Sequence, residues 1–489
     1  MRALFLAAVA TMAYAQSVQM VTLPAKSPLV TIRLVFRTGA AFDPPGKHGA
    51  AALTARMMAQ GGTRSMTYQQ IVDAMFPMAT QVDVQTDKEM TAFRGETHID
   101  NLEKFYALIR SMVLEPGWRP EDLSRLRDDQ ANFLRVTLRG NNDEELGKEA
   151  LYTKIYRNHP YGHHNMGTVS HLLKLTMEDL KEFHRQQYTQ ANLIVGLAGG
   201  YPAGFEQRVR KDFGTLHAGE KSARKSPAPQ EPDGLRLTIV DKETRSVAVS
   251  FGFPLSVRRG DPDFLPLMVV QSYFGQHRNS GGRLYQRMRE ARGLNYGDYA
   301  YIEYFPEGMF QFQPDPNLAR QQQIFQVWLR PLEPPTAHFG LRLALFELDR
   351  LIKSGLTGDE FARTRLFLSK NVNLLLSTKT VELGYAIDSL YYGIPDYITY
   401  VKEGLAKLTL NDVNRAIRKH LRPDRIQMVL VAKDGEQWKR TLLAGASSPM
   451  KYNAPKPKEL LEEDKLVENW PVKAVEGAVE VVAVDMVFE

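Results

Sequence analysis

A stretch of this chain occurs twice. "KLTMEDLKEFHRQQYTQANLIVGLAGG", starting at Lys174, matches "KLTLNDVNRAIRKHLRPDRIQMVLVAKDG", starting at Lys407, in the same order of threonine N-cap, helix, turn and terminal apolar strand. "RPEDLSRLR" from Arg119 and "TGDEFARTR" from Thr357 repeat at a similar separation. One α+β unit of about 200 residues, an ordinary domain size, is therefore present in two copies. A duplicated unit builds two homologous lobes, each a β-sheet packed with helices, and two such lobes can face each other across a cleft where ligands bind. Between the copies, "HAGEKSARKSPAPQEPDG" is rich in proline, serine, alanine and charge and reads as an exposed linker. The expected organisation is an N-terminal lobe over residues 16–216, a linker over 217–235, a C-terminal lobe over 236–445 and an extended tail over 446–489.

Within the first copy, "SPLVTIRLVFRTGAAF" alternates apolar and polar residues with β-branched enrichment, as a half-buried strand does. Helical periodicity follows from about Gly49 to Ala59, and a second helix is expected over Pro120 to Leu138, with Pro120 in an early-turn position and acidic residues behind it. In the tail, "VEVVAVDMVF" has the pattern of one more strand.

Hydrophobic residues make up 43% of the chain, enough for cores in two domains. The net charge of +6 is spread out and not gathered in basic runs, which argues against nucleic-acid binding. The opening "MRALFLAAVATMAYAQ" combines Arg2, a short apolar run and Ala13-Tyr14-Ala15, the pattern of a secretory signal peptide over residues 1–15. That run is too short to span a bilayer, and no later stretch has the length of a transmembrane helix. With no cysteine, disulfides, thiolate nucleophiles and Cys-based zinc sites are all excluded. An exported protein is expected, with the bacterial periplasm fitting best.

Four segments carry a resemblance: the two-lobed repeat, "GKHGAAALTARMMAQGGT" from Gly46, "HPYGHHNMGT" from His159 and "GGRLYQRMREARGLNYGDYAY" from Gly281. In that order, over roughly residues 20–433, they resemble the insulinase/pitrilysin-type metallopeptidase family, which includes the mitochondrial processing peptidase. Active members carry H-x-x-E-H on the first helix of the N-terminal lobe. Histidines at i and i+4 share one helical face and can reach one Zn²⁺, with the glutamate beside the metal-bound water as general base; a downstream glutamate completes the set. Anchored at Gly49, the motif falls here on Ala52, Ala55 and Arg56; anchored at Gly62-Thr63, it falls on Leu53, Arg56 and Met57. Neither alignment supplies a ligand or a base. The downstream helix offers Asp128, Asp129, Gln130 and Asn132, and Arg56 puts a permanent cation at or near the vacated position. No catalytic residue, metal ligand or cofactor is expected in this chain, and zinc is expected only in a partner chain.

His159, His163 and His164 invite a metal reading, but "HPYG" matches a structural turn of the family and no carboxylate at helical spacing accompanies them. "RGETHID", around Glu96 and His98, reads as a strand end on a solvated face. In the C-terminal copy, "RLYQRMREA" reads as a basic amphipathic helix capped at Gly293, followed by a strand containing Tyr296. The resemblance implies that "RGLNY" holds substrate main chain and helps stabilise the oxyanion through Arg292 and Tyr296, donors suited to that task. The residues alone favour a helix-terminal arginine facing the dipole and a half-buried strand tyrosine. The implied function is that of a non-catalytic subunit forming a heterodimer with an H-x-x-E-H chain and gripping its peptide substrate. The alternative is a structural or peptide-binding protein with no part in hydrolysis.

Overall fold

The computed structural model describes residues 18–222, 226–472 and 474–489; the expected signal peptide lies outside them. In the first half, β1 (Gln19–Pro24), β2 (Leu29–Phe36), β3 (Asp83–Thr86), β4 (Thr91–His98) and β5 (Leu193–Gly199) form one sheet, in the order β1-β5-β2-β4-β3. In the second half, β6 (Arg236–Asp241), β7 (Val247–Leu255), β8 (Asp298–Tyr301), β9 (Gln323–Leu332) and β10 (Gln427–Ala432) repeat that order strand for strand. Among these five strands, each half pairs its first strand parallel to its fifth and the other neighbours antiparallel. The duplication read in the sequence is thus a duplicated topology. The two helices that share the threonine motif begin alike, Thr176 and Thr409 each closing a capping box with the aspartate three residues on.

Strand β2 departs from its expected half-burial, because Leu29 alone of its eight residues is exposed. Val30, Ile32, Leu34 and Phe36 join the core of their own lobe. Thr31, Arg33 and Val35 face the helix Lys379–Tyr392, which the second half lends to the first sheet. The polar half of the alternation therefore meets the other lobe, not water. The loan is mutual: the helix Asp143–Ile155 of the first half lies on β7 and β10.

The lobes face each other, and buried polar side chains bridge them. Arg320 forms a buried pair with Asp87 (Nε to Oδ2 2.7 Å) and lies 3.5 Å from the Tyr304 ring centroid. Tyr304 donates its hydroxyl to Glu149 (2.8 Å), and the fully buried Lys148 donates to the Phe305 carbonyl (2.6 Å) and to Glu145 (3.1 Å). Glu96 is exposed at its strand end, as expected, and there accepts from Thr31 and Thr380 (both 2.7 Å), which joins the lobes. Buried charges persist when every one has a partner, as here.

Residues 446–489 are not the extended tail expected. They contain the helix Lys458–Val467, and β11 (Val479–Ala483) adds a sixth strand parallel to β6. Val467 is sealed in the second core and Phe488 in the first. The helix docks through Val467 and through its acidic pair, Glu463 and Asp464, which meet Arg287, Arg292 and Arg350 of the second lobe, while Leu461 and Leu466 stay exposed. Among the described residues no helix is long and apolar enough to cross a membrane.

Candidate functional site

The helix Ala50–Gln60 starts at Gly49, whose φ of 96° favours glycine and where a Cβ would come within 2.6 Å of Leu172 and 2.7 Å of the Met166 carbonyl. Its cap comes from a distance. Asp43 accepts from the backbone N–H groups of Gly49 (2.6 Å) and Ala51 (2.7 Å), placing a carboxylate where the helix dipole favours it. Burial nonetheless pushes the Asp43 carboxyl up to about 7.

Two of the three motif positions given by the Gly49 anchor show their faces clearly. Ala52 and Arg56 line a pocket of about 290 Å³ with Gln60, Asp129 and Gln130, whereas Leu53 and Met57, given by the other anchor, are sealed in the core. Arg56 donates Nη1 to the Leu126 carbonyl (3.0 Å) and Nε to Gln60 (3.3 Å), and its Nη2 lies 3.6 Å from Asp129. These residues do not fit zinc. An alanine has no donor atom, a guanidinium has no lone pair to give, and the one carboxylate is turned to the arginine. Among the described residues no group of three or more histidine, cysteine, aspartate or glutamate side chains could hold a metal ion.

The three histidines of "HPYGHHNMGT" serve three different structural ends. His159 accepts from the Tyr161 N–H and meets the Pro227 carbonyl through Nε2 (3.0 Å), fastening the linker. His163 stacks on His48 (4.1 Å between centroids) and meets Asp43 (3.0 Å). His164 accepts from the Met166 N–H (3.0 Å). Burial, with Lys88 nearby, holds His163 down to about 2 and His164 down to about 3.

Arg292 and Tyr296 stand in contrasting surroundings. The segment before them is a single α-turn, Arg283–Tyr285, running into a π-helical stretch, Gln286–Glu290, and not a regular amphipathic helix. Arg292 is buried. Its Nε donates to Asp464 (2.8 Å), its Nη2 to Glu463 (2.8 Å) and its Nη1 to the Arg287 carbonyl (3.0 Å). Both carboxylates come from the tail helix, and Tyr452 adds a hydroxyl on Asp464 (2.6 Å). Tyr296, expected within a strand, lies two residues ahead of β8 and is 76% exposed. Pairing with β9 cannot extend back to it because Asn295 takes the Arg330 carbonyl with its side chain (3.0 Å) and Gly297 turns the chain at φ 155°. Sequence reading missed the Glu463–Asp464 clamp; its one signal was the acidic run "ELLEED" inside a segment taken for coil.

With this geometry in view, comparison with known proteins gives a consistent answer. Residues 20–169 match the family described as "Insulinase (Peptidase family M16)", and residues 174–366 match "Peptidase M16 inactive domain". A protein of Rickettsia bellii named an uncharacterized zinc protease is 23% identical over 79% of this chain and 89% of its own length. A non-peptidase homolog of Helicobacter pylori is 20% identical over 83% of this chain and 89% of its own. The crystal structure of a peptidase M16 inactive domain from Pseudomonas fluorescens superposes with a TM-score of 0.73 at 20% identity, covering 86% of this chain and 96% of that one, a likeness of fold. The chain belongs to the insulinase, or M16, peptidase family, and its first lobe lacks the metal-binding residues of an active member.

Proposed function

We propose that this chain is an exported, non-catalytic subunit that binds extended peptides and complements an H-x-x-E-H partner chain of its own family in proteolysis. The observation that carries the reading is asymmetric loss: the motif helix has Ala52, Ala55 and Arg56 in place of ligands and base, while the second lobe keeps "RGLNY" with Tyr296 presented to solvent. Hydrolysis belongs to the partner. This chain contributes contacts to peptide carbonyls, Tyr296 directly and Arg292 once its guanidinium is released from Glu463 and Asp464. The test is cleavage of an unstructured fluorogenic peptide by this chain alone and mixed with an H-x-x-E-H relative. Activity confined to the mixture, and reduced by Arg292→Ala and Tyr296→Ala, is the expected result; an unchanged rate with both variants overturns it.

A second reading is favoured by the same clamp. If Arg292 never leaves its two carboxylates, the chain holds peptides or stabilises an assembly, for instance by strand addition at a sheet edge, with no part in hydrolysis. The Helicobacter relative named as a non-peptidase homolog is in keeping with this. Pull-downs that recover no peptidase would favour it.

A further inference from the structure

The strands β2 and β7 are counterparts in the two copies, and each is followed closely by an arginine at the junction of the lobes, Arg37 after β2 and Arg258 after β7. The linker crosses the same place with Lys221 and Ser222. These four residues line a pocket of about 630 Å³, large enough for a small organic molecule. Its wall is fixed, since Ser222 is tied to Asn192 (2.7 Å from its N–H to Oδ1) and to Gln187 (3.0 Å).

Three cations, Arg37, Lys221 and Arg258, share this pocket with two carboxylates, Glu89 and Asp261. Among the described residues none of the three cations forms a salt bridge. Arg37 is buried, with 8% of its surface exposed, and donates Nη2 to Gln19 (2.8 Å); its Nε is sealed from solvent with no acceptor. Arg258 gives Nη1 to the Gln321 side chain, and Lys221 has no hydrogen bond among the described residues. The proximity of Arg37 lowers the Lys221 ammonium from its usual range, as expected of two cations facing one space. The two carboxylates of the wall are hydrogen-bonded to neutral donors and not to these cations: Glu89 accepts from Tyr161, Tyr391 and the Gln321 N–H (3.1 Å), and Asp261 accepts the Arg258 backbone N–H (3.0 Å). A buried guanidinium without an anion is costly, and the cost is removed by one that enters from solvent.

We propose that this pocket between the lobes is a binding site for a phosphate-bearing small molecule, whose phosphate oxygens take the donors of Arg37, Lys221 and Arg258. A tetrahedral oxyanion offers acceptor oxygens in several directions and so matches three charged donors arriving from β2, β7 and the linker, which the two oxygens of a carboxylate cannot do. The volume left beyond the phosphate admits an organic group.

Titration calorimetry of the full chain at constant ionic strength tests this with three probes: inorganic phosphate, glycerol 3-phosphate and acetate. Saturable, one-to-one binding of the two phosphates and none of acetate is expected, with the ester bound more tightly if the remaining volume is used. Arg37→Gln is expected to weaken binding by about tenfold or more, the loss of a charged hydrogen-bonding partner. Lys221→Ala, at an exposed position that folding does not depend on, is expected to weaken it several-fold, and Lys370→Ala, an exposed lysine elsewhere, to leave it unchanged. Heats that never saturate, equal binding of acetate, or an unaltered affinity in Lys221→Ala would overturn the proposal.

Discussion

The two lobes share one strand order and differ in almost everything added to it. In the first, β3 and β4 are joined by the four residues 87–90; in the second, their counterparts β8 and β9 are joined by residues 302–322. That longer connection supplies the side chains of Tyr304, Asn317 and Arg320 and the carbonyl of Phe305, which lock the lobes together. The second sheet also gains β11 and is clasped by the tail helix, while β1 of the first sheet remains an edge. The helix after β2 turns Ala52 and Arg56 toward one pocket, and its similarly buried counterpart after β7, Phe264–Gly275, turns Phe264, Met268 and Gln271 toward another. Duplication provided the scaffold, and the segments that are not duplicated set how the lobes are joined and which arginines stay available.

The largest change that would sharpen this contrast is a gain of metal binding in the first lobe. Ala52→His combined with Arg56→His puts two imidazoles at i and i+4 beside the Asp129 carboxylate, three zinc-capable groups on one pocket. Equilibrium dialysis is expected to show about one zinc per chain in this variant and no stoichiometric uptake in the parent. Stoichiometric zinc in the parent would break the distinction drawn between this lobe and that of an active member.

Next in size is the loss of the bond between lobes. Arg320→Ala strips Asp87 of its partner in a buried site, and breaking such a pair costs about 3–5 kcal/mol. Chemical denaturation followed by a single cooperative transition should show that loss. Two separated transitions would mean instead that the lobes fold independently and that the long connection is an ornament.

The fold was legible where pattern and period carry it: the repeat, the capped helices at Thr176 and Thr409, and the final strand β11. The partners of polar residues were not, because they lie far off in sequence. Thr31 and Arg33 gave β2 its amphipathic look, yet Thr380 and Asn317, which bury them, stand about 300 residues away. The candidate site divides in the same manner. The missing zinc ligands could be read directly from residues 49–63, and Asp129 was already in view as a residue of the downstream helix. The capture of Arg292 by Glu463 and Asp464 could not be read, since local sequence does not say where a charged helix will dock.

The lobes should also differ in how they meet acid, and the C-terminal one permits a clean test. His338 is buried with Nε2 lacking an acceptor, and burial, aided by Arg342, lowers its imidazole from 6.5 to about 4. The unfolded chain protonates this residue below about pH 6.5 and the folded chain resists until about pH 4, so stability is lost as pH falls through that window. His338→Phe, which keeps an aromatic ring against Trp438, should remove this component and leave the variant on the order of 2–3 kcal/mol more resistant near pH 4 than the parent. An unchanged acid slope would assign the effect to the other buried histidines, His48, His159, His163, His164 and His184 of the first lobe and His277 of the second.

The smallest expected effect on stability belongs to the residue on which the functional proposal most depends. Tyr296 is 76% exposed and its hydroxyl makes no hydrogen bond among the described residues; the ring rests only beside Arg289, 5.8 Å from the guanidinium carbon. Tyr296→Ala should therefore move the denaturation free energy by no more than about 0.5 kcal/mol, as surface substitutions do. Arg292→Ala cannot be read so simply, because it also leaves the buried Asp464 without its cation, although Glu463 keeps Arg287 and Arg350. A fall in peptide cleavage by the mixed chains in Tyr296→Ala, at unchanged stability, would separate gripping substrate from holding the fold together. If cleavage is unaffected, the second lobe's retained motif is a scaffold element like the first lobe's helix, and the two lobes differ in their packing alone.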